Sequence, residues 1–300
     1  MTDANDILKR NGKSFYFASL ALDRETAERC ARLYAFCRSV DDLADESDDK
    51  AAARSELLAV VEALKSGDTA DPLLVDFLLL TEQVGMPVAP AIDLVRGVLD
   101  DLDDVQIENV GELHRYCYRV AGTVGLMMCG VLGVRDPRAY PFAIDLGIGM
   151  QLTNIARDIL ADAKASRRYI PESIIGTVSP GELIEPAAEM QSRIADAVCW
   201  LLGEADRFYR SGEAGLVFLP SRAQLAIRIA ARVYHRIGVR LRKRGFAAWK
   251  GRTVVPLREK LLVSVSAAAA HWQSRRGDPS TPLHTDLLHR WLQNTTSIYS

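Results

Sequence analysis

Two short stretches carry the residues best suited to chemistry. In LYAFCRSVDDLAD, residues 33–45, Tyr34, Arg38, Asp41 and Asp45 follow steps of 4, 3 and 4, with Asp42 beside them. In QLTNIARDILAD, residues 151–162, Gln151, Asn154, Asp158 and Asp162 follow steps of 3, 4 and 4. Each residue of an α-helix advances about 100°, so each set forms one polar stripe. Apolar residues fill the rest: Leu33, Ala35, Phe36 and Val40 in the first, Leu152 and Ile155 in the second. Taken singly, either stripe also fits a solvated helix face. Two observations favour a metal site. Aspartates one turn apart destabilise a helix by a few tenths of a kcal/mol unless a cation compensates. A solvated face would mix in lysine and glutamate, whereas these stripes use Asn, Gln, Tyr and Arg. Carboxylate and amide oxygens suit Mg²⁺, which is held by one or two carboxylates plus substrate phosphates and water. Two such helices facing each other would clamp a diphosphate and stabilise its charge as it leaves. Departure from an allylic carbon is the reaction that most needs this.

Elements able to hold these stripes are helical throughout. Apolar residues recur at helical spacing, and no alternation convincing enough for a strand appears. The pattern predicts helices over 24–45, 51–66, 73–84, 88–104, 110–132, 137–163, 186–210, 221–245 and 255–274, with a short last one at 283–293. Turn chemistry marks the breaks, as in SGDTADP, GMP, GTVSPGE, SGEAG and RRGDPSTP. Asp23 and Asp136-Pro137 read as helix starts. With no long linker and no repeat, the expectation is an all-α fold in one domain over 1–300, a helical bundle around a central cavity. Residues 1–20 would be a flap-like segment and 275–300 a peripheral tail.

Composition fits an ordinary globular protein, 48% apolar and 25% charged with a formal net charge of −2. Nucleic acid is not an expected partner, because overall basic charge and interleaved aromatics are missing. Five cysteines without CxxC spacing suit a reducing compartment. The first residues lack a signal-peptide core, and LLVSVSAAAA at 261–270 is far short of the roughly 20 residues a membrane span requires. A cytoplasmic protein is expected, with peripheral contact to the inner face of the cell membrane left open.

The two acidic stretches, with KSFYFAS (13–19), YCYRVAGTVGLMMCGVLGV (116–134), RRYIP (167–171), VYHRIG (233–238) and GRTVVPLREKL (251–261), resemble the squalene/phytoene synthase family. The similarity covers most of the chain in order, and VAGTVGLMM with the TVVP–KL tail looks more like the phytoene branch. It implies an isoprenoid-synthase bundle that condenses two geranylgeranyl diphosphates head to head, through a cyclopropylcarbinyl diphosphate. The alternative within the family is farnesyl diphosphate as substrate. The resemblance implies Mg²⁺, with Mn²⁺ as a substitute, and no NADPH for a phytoene-type enzyme that ends by deprotonation. Asp41, Asp42 and Asp45 would hold metal on one wall, and Asn154, Asp158 and Asp162 on the other. Ser14, Arg38, Gln151, Asn154, Arg167 and Arg252 would hold diphosphate. Tyr34, Tyr116, Tyr169 and Tyr234 would line the upper cavity and assist proton movement. Phe15, Val120, Ala121, Val124 and Gly125 would line the prenyl passage. A desaturase acting on the product is the implied downstream partner.

Two positions depart from the family pattern. Ala161 stands where the second motif usually carries glutamate, and Ser166 where a glycine usually precedes the arginine. A catalytically silent partner of the same fold is the alternative from another class, and the retained aspartates argue against it. DDLDD at 100–104 reads as a solvated helix end, and Asp101 is given no metal. His114 and His235 read as incidental. The arginines at 228, 232, 236, 240 and 244, four apart, fit either inter-helix ion pairing or contact with anionic lipid headgroups.

Overall fold

The computed structural model describes residues 4–45, 47, 49–274 and 282–292. Its helices run in the order α1 (Ala4–Asn11), α2 (Lys13–Ser19), α3 (Arg24–Asp45), α4 (Lys50–Ser66), α5 (Pro72–Val84), α6 (Ala89–Asp100), α7 (Val110–Cys117), α8 (Thr123–Val131), α9 (Tyr140–Lys164), α10 (Glu172–Ile175), α11 (Ala188–Ala214), α12 (Ser221–Lys243) and α13 (Leu257–Ser274). Among the described residues there is no strand, only an isolated bridge between Gln106 and Arg168. The all-α expectation is met. Caps fix several boundaries: Asp49 accepts from the amides of Ala51 and Ala52, and Asp71 from those of Leu73 and Leu74. Gly67 and Gly85 close the same helices with left-handed backbone, φ +73° and +63°.

Departures from the sequence pattern are local. The helix expected over 110–132 is broken by a π-helical turn, Tyr118–Gly122, between α7 and α8. The one expected at 137–163 opens with a 3₁₀ turn, Pro137–Ala139, which Asp136 caps. The last expected helix, 283–293, is a single 3₁₀ turn, Asp286–His289, and its final residue lies outside the described range. Helices α1 and α2 were not anticipated, because segments this short are marginal alone and depend on packing. The flap expected at 1–20 is thus a helix pair, with α1 against α3 and α2 against α12. At their joint, a Cβ on Gly12 would lie 2.9 Å from Leu8 and from the Tyr34 ring, so a side chain cannot be accommodated without displacement.

Two large apolar cores form, beside two smaller clusters. One joins α7, α9, α11 and α12. The other joins α3, α4, α5, α6 and α8. The backbone of the π-turn and α8 lies directly on α9: a Cβ on Gly125 would sit 2.2 Å from Ala143 O, and one on Gly147 2.2 Å from Ala121 O. Gly125, expected to line the prenyl passage, is therefore a packing residue whose open side is filled by α9. The C-terminal tail is not wholly peripheral, since Leu292 joins the first core at 1% exposure.

The arginine ladder of α12 is engaged by neighbouring helices. Arg236 donates to Glu259 at 2.8 Å, Arg240 pairs with the same carboxylate, Arg232 reaches Glu213 at 3.6 Å, and Arg244 donates to Thr253 at 2.7 Å. Ion pairing accounts for Arg232, Arg236 and Arg240 on this face.

Candidate active site

Helices α3 and α9 belong to different cores, and their polar stripes meet between them. Arg167, just past α9, donates from Nη1 to Asp45 Oδ1 at 2.9 Å and so links the walls. Arg168 holds this segment in place. Nearly buried at 2% exposure, it donates from Nη1 to the carbonyls of Ile107 and Ile170 at 2.8 and 2.6 Å. Backbone hydrogen bonds between 105–107 and 168 complete the clip. The clip brings the end of α6 against the end of α9, and Asp101 with it.

Asp101 is the residue the sequence pattern missed. Its Oδ1 accepts from Tyr169 Oη at 2.8 Å and its Oδ2 from Tyr116 Oη at 3.1 Å, beneath rings stacked at 4.6 Å. Its signal was present in the density of DDLDD and in the two tyrosines. Only the tertiary clip shows that they converge.

The carboxylates fall into two electrostatic classes. Arginines pair Asp42 (Arg38), Asp45 (Arg167) and Asp158 (Arg157 and Arg252). Arg157 donates from Nε to Asp158 Oδ1 at 2.8 Å. Arg252 Nε lies 3.3 Å from the same oxygen while most of its side chain stays in solvent. Asp41 and Asp162 behave differently. Burial, and then the charge of Asp45, push Asp41 up to about 7. Burial, and then the charge of Asp158, push Asp162 up to about 8. Asp101, raised by burial to about 6, adds its repulsion to both. Carboxylates gathered this way lack positive charge.

A divalent cation fits that deficit. Asn154 Nδ2 donates to Gln151 Oε1 at 3.1 Å, while Asn154 Oδ1 is buried without a hydrogen-bond partner. A buried oxygen left unsatisfied beside under-compensated carboxylates is the donor set of a hard cation. Phe15 of α2 covers one side, its ring 6.3 Å from Tyr34 and 5.1 Å from Tyr234, and Ser14 is half-buried on the same helix. Both tyrosines sit among charges: Tyr34 near Arg38, Asp41 and Asp42, and Tyr234 near Arg157, Arg252 and Asp158. Burial drives both hydroxyls upward, Tyr34 to about 12, so they stay protonated phenols. Val120, Ala121 and Val124 are half-buried on the π-turn and α8, and the two valines pack on the second core. A small cleft opens beside Asp162 and Arg167, with Ile155, Ile159 and Leu183 on its apolar side.

This bundle, with two acidic walls in the expected order, has known counterparts. The family profile described as squalene/phytoene synthase matches residues 8–259. The chain belongs to the squalene/phytoene synthase family. It is 34% identical over 297 residues to the 15-cis-phytoene synthase of Pantoea ananas, covering 95% of this chain and 96% of that one. It is 35% identical over 280 residues to the 15-cis-phytoene synthase of Enterobacter agglomerans, covering 88% and 93%. Among solved structures, a ligand-bound dehydrosqualene synthase superposes with TM-score 0.81 at 27% identity, covering 90% of this chain and 95% of that one. Like its relatives, this family member is a prenyltransferase, and the family works on prenyl diphosphates and generally needs a divalent metal.

Proposed function

We propose that this synthase condenses two geranylgeranyl diphosphates head to head to give phytoene, through a cyclopropylcarbinyl diphosphate, in one domain spanning 1–300. The observation that carries it is the meeting of two acidic helix faces, linked by the Arg167–Asp45 hydrogen bond at 2.9 Å, with Asp41 and Asp162 on opposite walls. The identity to two phytoene synthases supports the C20 substrate over farnesyl diphosphate. Asp41, Asp42, Asp45, Asn154, Asp158 and Asp162 would hold Mg²⁺, which when bound supplies the charge that stabilises the leaving diphosphate.

The chain's own residues do the rest. Arg38, Arg167 and Arg252 present guanidinium forks to diphosphate oxygens, releasing their present carboxylate partners to cations. Ser14 and Gln151 add hydrogen bonds at the rim. Phe15, closing over Tyr34 and Tyr234, keeps water from the allylic cation. The Tyr116 and Tyr169 hydroxyls, fixed on Asp101, would pass the proton leaving the intermediate to the departing diphosphate. Incubating the protein with Mg²⁺ and either diphosphate, without NADPH, tests this: phytoene from the C20 substrate is expected. A C30 product alone would overturn the substrate choice, and no diphosphate release from either would overturn the enzyme assignment.

A second observation favours contact with a membrane surface. Among the described residues no helix is long and apolar enough to cross a membrane. Yet α13 exposes Leu257, Leu261, Leu262, Val265 and Trp272, next to the exposed cations Arg252 and Arg258. An apolar stripe edged by cations suits an anionic bilayer that also holds the prenyl substrates. Co-sedimentation with phosphatidylglycerol vesicles should fall in a Leu261→Ser/Leu262→Ser/Val265→Ser variant, and unchanged sedimentation would exclude this face.

A further inference from the structure

At the start of α9, far along the helix from the acidic wall, a second polar cluster has no part in the chemistry above. Asp145 is fully buried, at 0% exposure. Its Oδ2 accepts from His284 Nε2 at 2.8 Å and from the Ser211 hydroxyl, and its Oδ1 accepts from His289 Nε2 at 2.7 Å. Both imidazoles come from the C-terminal segment and keep only 9% of their side-chain surface exposed.

We propose that Asp145, His284 and His289 bind one divalent ion of the zinc class, clipping the C-terminal segment onto α9. Ligand chemistry is the first argument. Two imidazole nitrogens and one carboxylate oxygen lie within 4.8 Å of one another, a donor set suited to zinc and unlike the all-oxygen set of the acidic walls. Charge is the second. This deeply buried carboxylate is faced only by imidazoles and a hydroxyl, and among the described residues no lysine or arginine forms an ion pair with it. The third is the support around the donors. Ser211 fixes the carboxylate by donating its hydroxyl to Asp145 Oδ2. The present nitrogen–oxygen distances are shorter than the roughly 3.3 Å edge of a zinc tetrahedron with 2.0 Å bonds, so the rings withdraw by about half an ångström on binding.

The test uses the full chain, stripped with a chelator and titrated with Zn²⁺ against a chromophoric indicator in excess Mg²⁺. One equivalent should bind, and Co²⁺ in its place should give the visible absorption of a tetrahedral site. His284→Gln and His289→Gln, whose amides can still donate to Asp145, should each lose that equivalent with unchanged circular dichroism, while Asp158→Ala should keep it. Zn²⁺ should also raise the melting temperature of the wild type but not of the two glutamine variants. No uptake by the wild type, or uptake unchanged in both histidine variants, would overturn the proposal and leave a hydrogen-bonded clasp.

Discussion

The two ends of α9 treat a buried carboxylate in opposite ways. Burial alone would raise Asp145, yet hydrogen bonds from His284, His289 and Ser211 prevail and hold it below the usual carboxylate range. Asp162, at the other end, has burial and the Asp158 charge acting together and is raised to about 8. Asp145 is the more deeply buried of the two, yet it is the one held low, because the neighbours differ. A carboxylate ringed by imidazole and hydroxyl donors docks another segment and, as proposed above, shares an ion with those imidazoles. One ringed by carboxylates is poised for an added cation and spends stability to stay so.

The largest effect separates the two ends by function. Asp162→Ala and Asp41→Ala should lower diphosphate release by about 10³-fold, the scale of losing a principal stabiliser of developing charge. Neither should unfold the protein, because each removes a repelled carboxylate. Full turnover by either variant would contradict the metal assignment. Asp145→Ala should do the reverse. It leaves two imidazoles and a hydroxyl buried without their acceptor, a loss of about 3 kcal/mol in denaturant unfolding, while turnover per folded molecule stays within a few-fold. Equal loss of turnover in both would erase the distinction.

The acidic end should also give a pH signature. Asp41 and Asp162 have folded values of about 7 and about 8, above the 3.8 of an ordinary aspartate. Between those limits the folded state holds protons that the unfolded chain releases, so the metal-free protein loses stability as pH rises from 4 to 8. A bound divalent cation removes that penalty. The melting temperature of the chelated protein should therefore fall from pH 5 to pH 8, and Mg²⁺ should restore more of it at pH 8. A hundredfold excess over Kd is worth about 2.7 kcal/mol. Equal Mg²⁺ shifts at both pH values would show that the carboxylates are not coupled as described.

What the sequence reveals follows the range of the forces involved. Stripe membership depends on helical periodicity, a local property, so the clustering of Asp41, Asp45, Asp158 and Asp162 on two helix faces is readable from spacing. The family resemblance supplies the rest of that wall. Asp101 is hidden because its partners, Tyr116 and Tyr169, reach it only through the Arg168 clip. The Asp145 cluster is hidden for the same reason: its histidines lie some 140 positions away, without local ligand spacing. Helices α1 and α2 depend on tertiary contact, and the π-turn arises where Gly122 and Gly125 let two backbones touch. The arginine ladder shows the converse. Its periodicity is plain, but only the neighbouring Glu213 and Glu259 decide what it faces.

The two departures from the family pattern lie at the acidic end and should matter least. Ser166 has φ +60°, the left-handed region where a side chain costs about 1 kcal/mol, which explains why glycine is usual there. Ser166→Gly should stabilise the protein by about 1 kcal/mol in denaturant unfolding without changing turnover. No gain would mean that the greater freedom of glycine in the unfolded chain offsets the relief. Ala161 is exposed and sits about 100° around the helix from Asp162. A glutamate there would extend into solvent, where its charge is screened beyond about 10 Å at ordinary ionic strength. Ala161→Glu should therefore shift the Mg²⁺ concentration for half-maximal turnover by less than about threefold. A larger shift would show that a carboxylate at the rim reaches the cation, and that its absence in this chain is felt by the acidic walls.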